Sequence, residues 1–269
     1  MKKILVTGAN GQLGQCLQKI SSQFEEFEFI FTDSETLDIT NKEEVNDFFW
    51  QNAPDFCINA AAYTAVDLAE TDIEKAFLVN ADGAENLAEA CAENNAQFIH
   101  VSTDYVFDGE NNLAYTEEDF TNPLGVYGAS KLAGDELALE VNPCSVILRT
   151  SWVYSEFGKN FVKTMLNLFA TKEELSIVAD QFGQPTNAND LAEAIMKIIK
   201  SEKITPGIFN FSNLGRISWF DFAEKIAELS DAKIKLNAIE TSQYPTPAKR
   251  PKNSVLDLGK ISKTYAVPL

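Results

Sequence analysis

The sequence predicts an α/β fold, a doubly wound parallel sheet followed by a smaller C-terminal lobe, and three observations predict it. Short apolar runs rich in β-branched and aromatic residues recur at 3–7, 28–32, 56–59, 97–102 and 145–149. Stretches of helical period separate them, at 12–21, 43–52, 73–94 and 131–141. A glycine-rich turn, residues 8–14, joins the first run to the first helical stretch. Strands that alternate with helices pair in parallel, and the crossovers cover both faces of the sheet.

Each element follows from local chemistry. Ile4-Leu5-Val6-Thr7 leads into Gly8-Ala9-Asn10-Gly11-Gln12-Leu13-Gly14, a G-x-x-G-x-x-G spacing placed between strand and helix. Glycines there permit a sharp turn and bring backbone N–H groups to a pyrophosphate, whose charge meets the helix N-terminus. Gly8, Asn10 and Gly11 are therefore candidate cofactor contacts, and the sheet is expected to be Rossmann-type. Asp33 ends the second run, where a carboxylate accepts from adenosine ribose hydroxyls and disfavours a 2′-phosphate; it is equally placed to close a turn. The cluster Asp38-Ile39-Thr40 could flank the adenine.

Beyond Thr150 the rhythm loosens. An aromatic loop at 152–159 precedes a helix at 160–171, residues 180–186 form a turn, a helix follows at 190–201, and an apolar run at 207–211 could return to the sheet. The expected division is a dinucleotide-binding domain at 1–150, joined by 187–211, and a substrate-binding lobe from 151–186 and 212–269. A ligand would sit in the cleft between them.

Composition narrows the chemistry. The chain has 269 residues, 45% hydrophobic and 23% charged, enough to bury a substantial core. The first strand begins at once, with neither a leader-like apolar segment nor a membrane-length run, so the expected location is the cytoplasm. A net charge of -18 opposes nucleic acid and anionic membranes, and leaves anionic ligands to be held by helix N-termini and the few arginines, Arg149, Arg216 and Arg250. Cys16, Cys57, Cys91 and Cys144 show no metal or redox spacing and read as small buried hydrophobes. The single histidine, His100, lies in an apolar run and reads as a packing residue, so neither a histidine triad nor a metal site is expected.

Tyr127-Gly128-Ala129-Ser130-Lys131 sets a phenol and an amine four residues apart at the start of a helix, on one face. A free phenol ionises near about 10, and a cation within ~4–6 Å stabilises the phenolate. Tyr127 could then protonate the alkoxide that forms when hydride reaches a carbonyl carbon. Thr103 or Ser102, at the end of the fourth run, could hydrogen-bond that carbonyl. Trp152 could stack on a ligand or pack the lobe, and Arg250, among Lys249 and Lys252, could clamp a diphosphate or remain solvated.

Together these stretches, with Asn59–Asp67, Val79-Asn80-Ala81, Ser102–Gly109, Arg149–Tyr154, Asp180–Thr186 and Arg250-Pro251, resemble the extended, sugar-nucleotide branch of the short-chain dehydrogenase/reductase superfamily. Within it the chain is similar to the dTDP-4-dehydrorhamnose reductases. The resemblance implies NADPH- or NADH-dependent reduction of dTDP-4-dehydro-β-L-rhamnose to dTDP-L-rhamnose. It also implies Tyr127 as general acid, Lys131 tuning it and holding the nicotinamide ribose, and Thr103 orienting the ketone. By the same carry-over Thr103, Asp104 and Trp152 contact the sugar, while Gly11, Gln12, Leu13, Asp38, Ile39, Ala61, Ala62, Tyr63 and Thr64 contact the cofactor. A sugar-nucleotide 4,6-dehydratase would show Thr-Asp-Glu where this chain has Thr103-Asp104-Tyr105, which removes the base for elimination. UDP-sugar 4-epimerases share the Tyr/Lys pair and stay open, as does a noncatalytic role like that of the methionine adenosyltransferase beta subunit. The first helix carries Gln15-Cys16-Leu17 where some relatives bridge subunits through glutamate-bound metal, so no metal is expected and the state is monomer or homodimer.

Overall fold

The computed structural model describes residues 1–269. Its centre is a six-stranded sheet formed by β1 (Lys2–Thr7), β2 (Phe27–Phe31), β3 (Phe56–Asn59), β4 (Gln97–Thr103), β5 (Val146–Thr150) and β10 (Gly207–Asn210). The order is β10-β5-β4-β3-β1-β2, and every pairing is parallel. The chain runs outward from β1 to β2 and then crosses back to β3 on the other side of β1. That reversal opens a crevice beyond the C-terminal ends of β1 and β3, the position where such sheets bind ligands.

Helices cover both faces, which is why the strands are apolar without alternation. Ile4 and Val6 point into a core formed with α1 (Gln12–Ser21), α8 (Ala188–Ile199) and α10 (Gly259–Tyr265). Leu5 points the other way, into a core formed with α2 (Lys42–Asn52), α5 (Gly83–Glu93) and α6 (Val126–Val141). Each such fully buried side chain contributes about 1.5–3 kcal/mol. Two short helices, α3 (Val66–Ala69) and α4 (Ile73–Phe77), lead into a π-helical turn at Leu78–Asp82.

The expected single helix over 73–94 is thus two helices around a π turn. The turn carries Asn80 inward, where its amide bonds the backbone N–H and C=O of Tyr63 and the hydroxyl of Ser130. Another difference is Cys144, which is exposed because it lies in the turn after α6, while Cys16, Cys57 and Cys91 are buried.

The remaining elements build the lobe. They include β6 (Val153–Tyr154), α7 (Phe161–Phe169), β7 (Glu174–Val178), β8 (Phe182–Gly183) and β9 (Thr186–Asn187), then β11 (Ile217–Ser218), α9 (Trp219–Leu229) and β12 (Lys235–Ile239). β12 pairs with β7 in parallel, a contact no local pattern announced. Met165, Ile177, Phe222 and Ile226 form its small core. Helix α9 starts at a capping box in which Ser218 and Asp221 satisfy each other's backbone N–H groups. No helix is long and apolar enough to cross a membrane.

Candidate active site

Two adjoining cavities occupy the crevice. The first, about 360 Å³, is lined by Gly8, Asn10, Gly11, Asp33, Asp38, Ile39, Ala61 and Ala62 among others. Gly8 adopts φ +67°, and a Cβ there would lie 2.6 Å from the carbonyl oxygen of Ala60, so only glycine lets β1 turn against the strand-end loop after β3. Gly14 likewise leaves no room for a Cβ beside the Gly8 carbonyl. The N-terminus of α1 has Gly11 at its cap with no side-chain partner, so its free N–H groups are available to an anion.

Asp33 closes the turn foreseen for it and lines the first cavity. Its Oδ1 closes a turn by accepting from Thr36 and from the Glu35 N–H, while its Oδ2 accepts from Asn10 Nδ2 at 2.7 Å. These donors, the Thr36 hydroxyl first, hold the carboxyl below its ordinary value and therefore ionised. Asp38 is bonded to Thr40 in the same way, at the far end of the cavity.

The second cavity, about 650 Å³, brings together Gly11, Gln12 and Leu13 at the start of α1, Thr64 after β3, Thr103 and Asp104 at the end of β4, Tyr127 and Lys131 from α6, and Trp152. Gly125 caps α6, so Tyr127 falls in its first turn and Lys131 one turn on. Tyr127 is half-buried, and burial pushes its phenol up to about 12 despite an opposing hydrogen bond with Thr103. The lowering expected from Lys131 is absent, because the amine turns toward β4: Nζ lies 2.8 Å from the Val101 carbonyl and 2.9 Å from His100 Nε2. Lys131 is buried, and that burial brings it down to about 8. Asp104 is buried as well and is pushed up to about 6, with its Oδ2 lacking any hydrogen-bond partner.

Trp152 has φ +46°, a rare conformation for so large a residue, and it is held there by packing. Its indole stacks on Trp219 at 3.5 Å between centroids and 7° between planes, and it lies on Gly183, where a Cβ would strike the ring. Gln12 ties α1 to this side, accepting from Asn160 Nδ2 at 2.8 Å and donating to the Val153 carbonyl. A third cavity, about 450 Å³, lies within the lobe, lined by Phe161, Met165, Ile177, Trp219 and Tyr244. Arg250 lines this third cavity and not the second, with its guanidinium 2.8 Å from Asp67 Oδ2.

Most of the residues singled out in the sequence therefore meet around one crevice, with two exceptions. Arg250 sits in the lobe cavity, and Tyr63 lines none of the three, since Asn80 holds its backbone and its hydroxyl reaches Asp72 at 3.2 Å. Four buried residues behind the wall were not anticipated as part of the site. Asn59 Nδ2 lies 3.0 Å from His100 Nδ1, and Arg149 Nε lies 3.2 Å from Asp135 Oδ2. Asp135 could have been found, because it continues the Tyr127, Lys131 spacing by one more helical turn on the same face. Lys159, on the cavity rim, was also missed.

Comparison with known proteins agrees with this geometry. The family model for the RmlD substrate binding domain matches residues 1–269. A dTDP-4-dehydrorhamnose reductase of Aggregatibacter actinomycetemcomitans is 45% identical, over 99% of this chain and 94% of its own. The crystal structure of a dTDP-4-dehydrorhamnose reductase from Clostridium acetobutylicum superposes with a TM-score of 0.94 at 45% identity, covering 97% of this chain and 92% of the other. That from Bacillus anthracis, in complex with NADP, gives a TM-score of 0.94 at 40% identity, covering 98% and 93%. A parallel sheet with a glycine-lined switch point, a Tyr/Lys wall and this full-length likeness lead to one conclusion: the chain belongs to the RmlD substrate binding domain family.

Proposed function

We propose that the protein reduces the 4-keto group of dTDP-4-dehydro-β-L-rhamnose to give dTDP-L-rhamnose, using NADPH or NADH. The observation that carries this reading is the convergence of Thr103, Tyr127 and Lys131 on one wall of a cavity whose other end is the N-terminus of α1. The glycine cradle fits a dinucleotide, since Gly8 and Gly14 let the backbone turn tightly against Ala60 and Ala9 and so bring the free N–H groups at the start of α1 to the cavity. When bound, the dinucleotide supplies hydride to the carbonyl carbon. Gly8, Gly11 and the α1 N–H groups hold its phosphates, and Asp33 and Asp38 line the adenosine end.

The chain's own residues then handle the proton. Thr103 orients the ketone oxygen toward Tyr127, and Tyr127, a full phenol at neutral pH, gives its proton to the forming alkoxide. Lys131 stands one turn away to offset the charge of the phenolate left behind. The unpartnered Asp104 Oδ2 is a ready acceptor for a sugar hydroxyl. Trp152, pinned by Trp219, forms a flat floor for the sugar, and the aromatic lobe cavity with Arg250 at its edge suits the nucleotide half. In this reading residues 1–150 and 187–211 serve the dinucleotide, and 151–186 with 212–269 serve the sugar nucleotide.

The test is loss of NADPH absorbance on adding the keto-sugar nucleotide. Turnover is expected for the natural sequence, and Tyr127→Phe should lower kcat by about 10²–10⁴-fold with NADPH affinity unchanged. Cofactor binding without oxidation by the natural sequence would support a noncatalytic role instead, and equal activity on UDP-linked ketosugars would remove the dTDP assignment.

A further inference from the structure

Two indoles separate the second cavity from the lobe cavity. Trp152 lines the second, beside Thr103, Asp104 and Tyr127, and Trp219 lines the third, beside Phe161, Tyr244 and Arg250. Neither ring lines the other's cavity, yet the two are stacked, with centroids 3.5 Å apart and planes 7° from parallel. The partition is one ring thick on each side. A ring that turns in one cavity must therefore carry its partner with it or lose the overlap.

The backbone under Trp152 is anchored. Its carbonyl accepts from the Thr186 N–H at 3.2 Å, Ser151 Oγ donates to the Gln184 carbonyl at 2.7 Å, and Val153 pairs with Thr186. With φ held at +46°, the residue keeps only its side-chain torsions. Gly183 abuts the indole near Cε2 and Nε1, and it is backbone locked in the β8–β11 pair opposite Ile217. Trp219 differs, being a half-buried side chain in the first turn of α9 whose other aromatic neighbour, Phe161, lies 4.7 Å away and tilted by 48°. The core beneath it has five buried residues, against 24 and 14 on the two faces of the sheet, so the lobe is the part that yields first. We propose that Trp219 is a positioning residue that couples the two cavities: a nucleoside diphosphate seated in the lobe cavity sets the plane of Trp219, and through it the plane on which Trp152 presents the sugar to Tyr127.

This rests on the reading above that the lobe cavity receives the nucleotide half of the substrate, and it adds a consequence. Binding energy from the nucleotide, remote from the ketone, is realised in kcat as well as in KM, because the floor under the sugar is set only when the lobe is occupied. The tolerance is narrow, since a misplacement of about 1 Å can cost about 10²-fold in rate. Trp219→Leu should therefore lower kcat by about tenfold or more and leave NADPH affinity unchanged, as Trp219 lines neither crevice cavity. Trp219→Phe keeps a ring against Trp152 and should restore most of the loss. A rise in KM with kcat kept would make Trp219 a plain wall of the nucleotide site and overturn the proposal.

The deciding measurement needs no turnover. The chain has three tryptophans, so 5-fluorotryptophan labelling gives three 19F resonances, assigned from Trp50→Phe, Trp152→Phe and Trp219→Phe. On saturation with dTDP, which carries no sugar, the Trp152 and Trp219 resonances should both shift, while that of Trp50, 82% exposed on α2, stays in place. In Trp219→Leu the Trp152 shift should be lost although calorimetry still shows dTDP bound. Three results would each overturn the coupling: a Trp152 resonance that dTDP leaves unmoved in the natural sequence, a Trp152 shift undiminished in Trp219→Leu, or loss of all dTDP binding in that variant. Should the leucine variant not fold, Trp219→Phe decides, since its smaller ring overlaps less and the Trp152 shift should shrink; an unchanged shift refutes the role. Failure of the proposed reduction would appear instead as absent NADPH oxidation by the natural sequence with these spectra intact, so the two failures are distinguishable.

Discussion

At the scale of single residues, the site contains groups held against their ordinary ionisation, and this has a measurable cost. Asp104 rises from 3.8 to about 6 because it is buried. The folded state therefore binds more proton than the unfolded chain between these values, so stability falls as pH rises through that window and the loss is complete above it. Asp104→Asn should stabilise the protein by about 2–3 kcal/mol at neutral pH, with the gain vanishing near pH 4, as read by urea unfolding at the two conditions. The same variant should raise KM, since the free carboxylate oxygen is lost. An equal gain at both pH values would show that folding does not raise the Asp104 carboxyl above its ordinary value. These residues differ in how far the sequence revealed them. Tyr127 and Lys131 were legible because a helix places positions four apart on one face, a relation fixed by local geometry. His100 was read as packing because its partner Lys131 is 31 residues away, and only the docking of α6 on β4 joins them. Tyr63 lines none of the three cavities, and nothing in the sequence signals this because a motif specifies residue type but not which way a loop side chain turns.

At the scale of elements, the placement of Tyr127 and Lys131 depends on one close helix contact. Gly134 in α6 packs directly against the backbone carbonyl of Asn80 in the π turn, and a Cβ there would overlap that oxygen. Gly134→Ala must push the two apart, which strains the Asn80 bonds to Tyr63 and Ser130 and shifts the helix that carries Tyr127 and Lys131. A loss of about 1–3 kcal/mol in unfolding free energy is expected, with kcat reduced more than NADPH affinity. Alanine is otherwise the better helix former by about 1 kcal/mol, so a rise in Tm would mean that the contact is slack. The strands and most helices of the sheet were legible from period and composition, since each buries an apolar face against its neighbours. The π turn was not: one extra residue per turn disturbs the period too little to register, and its cause is the tertiary partner at Gly134. The β7–β12 pair escaped for a similar reason, as its strands are half-exposed and 61 residues separate Glu174 from Lys235.

For the molecule as a whole, the unresolved tension is between its charge and its ligands. A net charge of -18 repels a dinucleotide and a sugar diphosphate, both anionic, at distances where individual side chains do not yet matter. Attraction begins only inside the crevice, from the α1 N-terminus, Lys159 on the rim and Arg250 in the lobe, and Arg250 is already engaged by Asp67. The long-range term should then dominate the approach, and salt screens it, since the Debye length shortens from about 30 Å at 0.01 M to about 8 Å at 0.15 M. The association rate of NADPH, followed by quenching of Trp152 and Trp219 fluorescence in a stopped-flow instrument, should therefore rise by about two- to fivefold between those ionic strengths. The opposite slope, a rate that falls with added salt, would mean that the crevice cations reach beyond the mouth and outweigh the global field.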